Sequence, residues 1–446
     1  MWSKCFVTKI IVSVCVVVFL ASSAVTAEKV LRLTLEESIG LAIKQSMVIH
    51  SAREGVKASE SGRKEALTGF FPKLSTSYSY TRLNETPTTT ITGLGTMQTG
   101  TRDNYVWEVE IAQPIFTGGK VLSNYQINKI GENVSRMNEM TTIQNIVRDV
   151  KEAYFNILKS ERILDVAEQS VERLKAHRDT AQSFYDVGII PKNDLLLAEV
   201  ELANGTQELV KAENGVQLRK AQFNTILRRD INAPVEVEDI LIYKRFEKSL
   251  EECLKTAIEK RTDVKAYELG VKQSQKIVTL AKSDFYPSVN LVGNYSKYGD
   301  EADVSGSPYY DQEDWYIMAI ASWNFWEWGK TKHSVDANKS KLRQAEDALI
   351  NVRDHVALEV KDAYLSVREA EKHIFVAEKA IKQAEENYRI NKERYKEQVA
   401  TSTDVIDAQT LLTKTKSDYF NALSNYNIAL SRLERAMGVV SPEISE

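Results

Sequence analysis

Cysteine, proline and glycine are all scarce in this chain: 3, 8 and 19 among 446 residues. Two of the cysteines, Cys5 and Cys15, fall in an apolar N-terminal stretch, and Cys253 stands alone in SLEECLKTAIEK. An intrachain disulfide framework is therefore excluded, and Cys253 reads as a buried helix residue. Few helix breakers favour long helices. Long hydrophobic runs are also missing. Beyond the N-terminal stretch nothing approaches the roughly 18 uninterrupted apolar residues of a membrane-spanning helix. Charge of one sign is not in excess, with 58 Lys and Arg against 62 Asp and Glu and a formal charge of −4. With no basic stripe or recognition motif, a nucleic-acid partner is excluded. No phosphate loop, HExxH or GxSxG occurs. The histidines at 50, 177, 333, 355 and 373 are scattered, and no Cys/His spacing points to a metal. No enzyme and no cofactor is expected.

The N-terminus reads as an address. Lys4 and Lys9 precede the apolar run 10–20, and Val25, Thr26 and Ala27 supply small residues for cleavage. Residues 1–27 are expected to be a secretory signal peptide. The run is short for a span of about 20 residues, and no cysteine follows the cleavage point to carry a lipid.

The rest is written twice. TLEESIGLAIKQ at 34–45 matches SLEECLKTAIEK at 249–260, and FFPKL at 70–74 matches FYPSV at 285–289, an offset of 215. Further on the offset becomes 210: Gly119-Lys120 matches Gly329-Lys330, and VKEAY at 150–154 matches VKDAY at 360–364. The first repeat is expected over 28–230, a linker over 231–248, the second repeat over 249–440 and a tail over 441–446. Each repeat opens with a helical stretch, 34–70 or 249–285. A strand of period two follows the aromatic–Pro step, about 72–83 or 287–298. After a polar loop comes a return strand, about 104–116 or 315–326. A long helix is expected over 117–186 and 330–398, then a returning half-helix over 194–229 and 404–437. From 331 to 437 there is neither Gly nor Pro. Apolar and small residues recur there in steps of three and four, a heptad-like seam. Each long helix would span about 100 Å at 1.5 Å per residue. A rising and a returning half-helix stacked end to end would match it, with residues 28–45, 230–261 and the C-terminus gathered at mid-height.

The strands have one apolar-aromatic and one polar face and the roughly 9–11 residue length of a membrane-spanning strand. Aromatics cluster at their ends: Phe70, Phe71, Phe116, Phe285, Tyr286, Trp323, Phe325 and Trp326. Four strands cannot close a barrel, and known small barrels begin at about eight. Several chains must share one, and strand physics alone permits two, three or four.

Together the tandem repeat, the FFPKL and FYPSV strand entries, the QPIFTGGK turn and the helix tips VGIIPKND and TSTDVIDAQ resemble the TolC family of bacterial outer-membrane efflux and export ducts, over nearly the whole chain beyond residue 27. The resemblance implies a mainly α fold with a small β part. Three chains would share a 12-stranded transmembrane β-barrel and a 12-helix periplasmic α-barrel with two repeats per chain. It implies an exit duct in the outer membrane of a Gram-negative bacterium, serving a tripartite efflux pump or type I secretion system. The implied partners are a periplasmic adaptor, an inner-membrane transporter of RND, ABC or MFS type, and outer-membrane lipid. It also implies a gate at Asp404 and Asp407 with Tyr395 holding the closed tip, and adaptor contacts at Val187, Gly188, Ile189 and Asp194. The bare residues read otherwise: Asp404 as an N-cap, Asp407 as a first-turn acid, Asp194 as helix-start chemistry. Two departures stand out. Trp328 replaces Gly118, and the second tip, EQVATSTD, lacks Val-Gly and has Ala400 where some family members carry a basic latch. The competing functions are a periplasmic adaptor, which would show one hairpin flanked by β-domains, and a soluble coiled-coil scaffold, which leaves the strands unexplained.

Overall fold

The structure is a computed structural model that describes residues 31–439. The expected signal peptide 1–27 and the tail 441–446 lie outside the described residues. In chain order the elements are β1 (Leu31–Leu33), α1 (Leu35–Gln45), α2 (Met47–Thr68), β2 (Lys73–Arg82), β3 (Thr88–Ile91), β4 (Gly95–Gln98), β5 (Asp103–Phe116), α3 (Lys120–Asp186) and α4 (Lys192–Ile226). The second half runs β6 (Val235–Val237), α5 (Leu250–Lys260), α6 (Thr262–Lys282), β7 (Ser288–Gly299), β8 (Glu313–Ser322), α7 (Lys330–Lys396) and α8 (Ser402–Ala436).

The helical stretch expected over 34–70 is broken. Ser46 adopts an extended backbone and its hydroxyl accepts from Ile49 N, ending α1 and capping α2. Arg261 breaks the stretch 249–285 in the same place, also with extended backbone. Thr34 and Ser249 each build a capping box, with Glu37 and Glu252, which satisfies two orphan donors at each helix start. The polar loop after β2 carries the β3–β4 hairpin, for which the sequence reading has no element.

The long helices α3 and α7 each hold 67 residues, about 100 Å. Each pairs with its returning helix of 35 residues, α4 or α8. The rising helices α2 and α6 pack on the upper parts of α3 and α7, and α6 and α8 also lie against α3, joining the repeats. The core sits at mid-height. Val150, Tyr154, Phe223, Val264, Val360 and Leu433 are buried in one cluster there. The parallel pair β1–β6 closes over it. The Tyr154 hydroxyl lies 2.8 Å from Glu238 O and 3.2 Å from Leu33 O, and burial pushes it up to about 12. The end of α8 meets the start of α6 over Arg261. This side chain is 5% exposed and pairs with Asp263 and Glu359, each at 2.5 Å, while its Nη1 donates to Ala436 O at 3.3 Å. A cation at a helix C-terminus complements the carbonyl dipoles.

The opposite end is a four-stranded antiparallel sheet in the order β2-β5-β7-β8. Both hairpins keep one register: Tyr80 faces Tyr105, and Tyr295 faces Trp315. Leu74, Tyr78, Tyr80, Trp107, Val109 and Tyr295 share a face by this register, opposite Glu108 and Glu110. β5 and β7 bridge the repeats, with a bulge between Pro114 and Phe116. The strand expected at 315–326 stops at Ser322. Among the described residues its one partner is β7, which begins at Ser288, opposite Ser322. Beyond that point no described strand pairs with residues 323–326.

Candidate functional site

The far end of the helices, about 100 Å from the sheet, consists of two hairpin tips. The first turns at residues 187–190. Gly188 takes φ +75°, and its N–H and that of Ile189 donate to Tyr185 O and Phe184 O, the closure typical of a helix C-terminus. Val187 and Ile189 are 69% and 44% exposed. Asp194 is half-buried in the first turn of α4, whose N-cap is Pro191, so Asp194 is not the cap. The second tip makes the same turn with Gln398 at φ +61°.

The start of α8 corrects the expected N-cap. Thr401 holds that position, and Asp404, the third residue of α8, completes a capping box: its carboxylate accepts from Thr401 N and Thr401 Oγ1, both at 2.8 Å. These hydrogen bonds, the backbone one first, hold the Asp404 carboxyl below its ordinary value. Asp407 lies one turn on and both aspartates are exposed, while Val405 and Ile406 between them are buried.

Tyr395 is 4% exposed, with its ring 4.9 Å from His177 and 5.6 Å from Phe184. Its hydroxyl is buried without a hydrogen-bond partner among the described residues. Burial, and then the charge of Asp194, raises its pKa. His177 is absent from the sequence-derived site, yet it joins the two hairpins. Its Nε2 lies 2.8 Å from Ser402 Oγ, and burial pushes its pKa down to about 4. A polar ladder continues along the same seam: Gln409 Oε1 accepts from Arg173 Nε at 2.9 Å and its amide lies 3.2 Å from Ser170 Oγ. The signal was present in the spacing. Ser170, Leu174, His177 and Ala181 are buried in steps of four, three and four, so two polar residues occupy core positions of the heptad.

At the sheet end, Phe70, Phe71, Phe116, Phe285 and Tyr286 are exposed at the strand–helix junctions. Trp323, Phe325 and Trp326 are exposed beyond the end of β8, not within it. Among the described residues no group of His, Cys, Asp and Glu could hold a metal ion, and no helix is long and apolar enough to cross a membrane.

Comparison with known proteins adds to this geometry. The family model described as outer membrane efflux protein matches residues 38–227 and 253–439, one match per repeat. The outer membrane efflux protein BepC of Brucella suis biovar 1 (strain 1330) is 20% identical over 421 residues, 94% of this chain and 89% of that protein. Among solved structures, the CmeC outer membrane channel of Campylobacter jejuni superposes with a TM-score of 0.77 at 17% identity, covering 91% of this chain and 85% of that one. The outer membrane protein VceC of Vibrio cholerae gives 0.79 at 17% identity, over 91% and 96%.

Proposed function

Since the chain belongs to the outer membrane efflux protein family, and is thus an efflux channel of the Gram-negative outer membrane rather than an enzyme, we propose that three copies close one channel gated at its periplasmic tips. The observation that carries this is the pair of open edges. β2 and β8 each have a partner on one side only among the described residues. In hydrocarbon each unpaired backbone group costs several kcal/mol, so the edges must meet those of other copies. Three copies supply twelve strands, above the minimum of about eight for a barrel. The apolar-aromatic sheet face then meets lipid. Phe70, Phe71, Phe116, Phe285, Tyr286, Trp323, Phe325 and Trp326 stand at the periplasmic interface of the outer membrane, where aromatic girdles gather.

The α3–α4 and α7–α8 hairpins form the periplasmic tunnel. Val187, Gly188, Ile189 and Asp194 are the contact points for a periplasmic adaptor, supported by the exposure of Val187 and Ile189. An inner-membrane transporter of RND, ABC or MFS type supplies the energy, in a tripartite efflux pump or a type I secretion system. Asp404 and Asp407 ring the tunnel mouth. A carboxylate ring selects cations, and both side chains are exposed at the first turns of α8. Tyr395 anchors the closed tip against His177.

The test is single-channel recording in planar bilayers with divalent cations added at the tip side. Block is expected in the native channel and should weaken in the Asp404→Asn/Asp407→Asn double variant. An unchanged block in a variant that remains trimeric would return both aspartates to helix-start chemistry.

A further inference from the structure

Trp328 stands in a backbone conformation that residues with a side chain avoid. Its φ is +51° and it is 84% exposed. Gly118, its counterpart in the first repeat, has φ +62°. The next residue is a left-handed glycine in both repeats, Gly119 at +85° and Gly329 at +81°. The two turns share one backbone, so their surroundings can be compared directly.

Gly118 faces the second repeat. A Cβ there would lie 2.6 Å from Ser283 O and 2.9 Å from Tyr286 Cβ, so this junction is closed only because no side chain is present. Lys120 Nζ adds an ion pair across it, 3.3 Å from Asp284. The repeat offset gives Thr68, Gly69 and Phe71 as counterparts of Ser283, Asp284 and Tyr286. That segment leads into β2 at one edge of the sheet, whereas Trp328 follows β8 at the other. The equivalent neighbour of Trp328 is therefore the 68–71 segment of another copy. Bulk stands where a copy of the tight junction would need none. The ion pair is also missing, since Gly69 replaces the acid and Lys330 pairs with its own Glu327 at 3.2 Å.

We propose that Trp328 is a wedge between copies, packing on residues 68–71 of the neighbour and holding that junction wider than the one inside the chain. The neck between barrel and tunnel is then threefold, with tight junctions within chains alternating with wedged junctions between them. The proposal rests on the trimer reading above. Phe71, 59% exposed in the single chain, supplies an aromatic face for the indole.

The test places p-benzoylphenylalanine at position 328 of the full chain and irradiates the assembly in detergent and in lipid vesicles. A crosslinked dimer whose joined peptide contains residues 68–71 is expected, and Phe71→Ala should reduce its yield. A second measurement uses a variant in which Trp328 is the sole tryptophan, in vesicles with brominated acyl chains. Its fluorescence should be shielded from quenching, in contrast to a variant retaining only Trp326. Trimers in which position 328 crosslinks only to lipid and Trp328 is quenched as strongly as Trp326 would overturn the wedge. Native mass spectrometry of the same samples reporting only monomer would instead overturn the trimer reading.

Discussion

At the residue scale, one histidine and one arginine carry the clearest expectations. His177 is neutral in the fold, with a pKa of about 4 against about 6.5 when free. The unfolded or detached state therefore binds its proton first. The contribution of His177 is fully present above about pH 6.5 and is lost as pH falls toward 4. The tip seam should loosen over that window, because a charged imidazole would sit beside Tyr395 and Ser402 with no counter-ion in contact among the described residues. Hydrogen exchange over residues 402–409 should accelerate at pH 5 relative to pH 7, after correction for intrinsic rates, and His177→Gln should flatten that difference. Arg261 is a structural counterpart at mid-height. Arg261→Met strips Asp263 and Glu359 of their main partner, and removing one member of a buried pair costs about 3–5 kcal/mol. Both acids are partly exposed and Arg435 also reaches Glu359 at 3.2 Å. The expected loss is nearer about 2 kcal/mol, read as a lowered thermal midpoint.

At the element scale, the two hairpin tips solve one turn with different residues. Gly188 and Gln398 both take positive φ. A Cβ on Gly188 would meet nothing within 4 Å, so the cost of adding one is conformational alone. Gly188→Ala should destabilise the first tip by about 1 kcal/mol, whereas Gln398→Ala should change little, since that position already carries a Cβ. Limited proteolysis at the two tips would separate them. Comparable cleavage of both variants would show that neighbouring contacts, not φ, set tip stability.

At the scale of the whole molecule, the internal repeat predicts how copies join. Within the chain, Val109 faces Tyr295 and Glu110 faces Asn294 across the boundary between repeats. Shifting by the repeat offsets puts Ala319 of one copy opposite Tyr80 of the next, and Ile320 opposite Ser79. In an antiparallel ladder adjacent pairs alternate between close and wide spacing, so one of these two pairs suits a disulfide. Cysteines at 319 and 80, or at 320 and 79, should give a reducible ladder ending at trimer on denaturing gels. A pair displaced by two residues, 320 with 77, should not. Efficient linkage only in the displaced pair would mean that the boundary between copies has a different register from the boundary between repeats.

The sequence by itself determined the two repeats, the long helices and the alternating strands, because periodicity, scarce Gly and Pro, and aromatic–Pro steps are local signals. Its family resemblance matches what the comparisons show. The breaks at Ser46 and Arg261 are not legible, since neither is a strong breaker, and at Arg261 the helix end that meets the break, Ala436, lies 175 residues away in sequence. Asp404 lost the N-cap to Thr401 because the choice among neighbouring capping residues depends on where α8 packs. The strand expected to 326 ends at 322 because strand length is set by the partner, and here the partner runs out. In the sequence His177 is one of five scattered histidines. Only tertiary structure brings Tyr395 and Ser402, more than 200 residues away, onto its ring. Pairing between distant segments decided these features: the spacing along α3 signals that His177 is buried, but neighbours in sequence cannot name its partners.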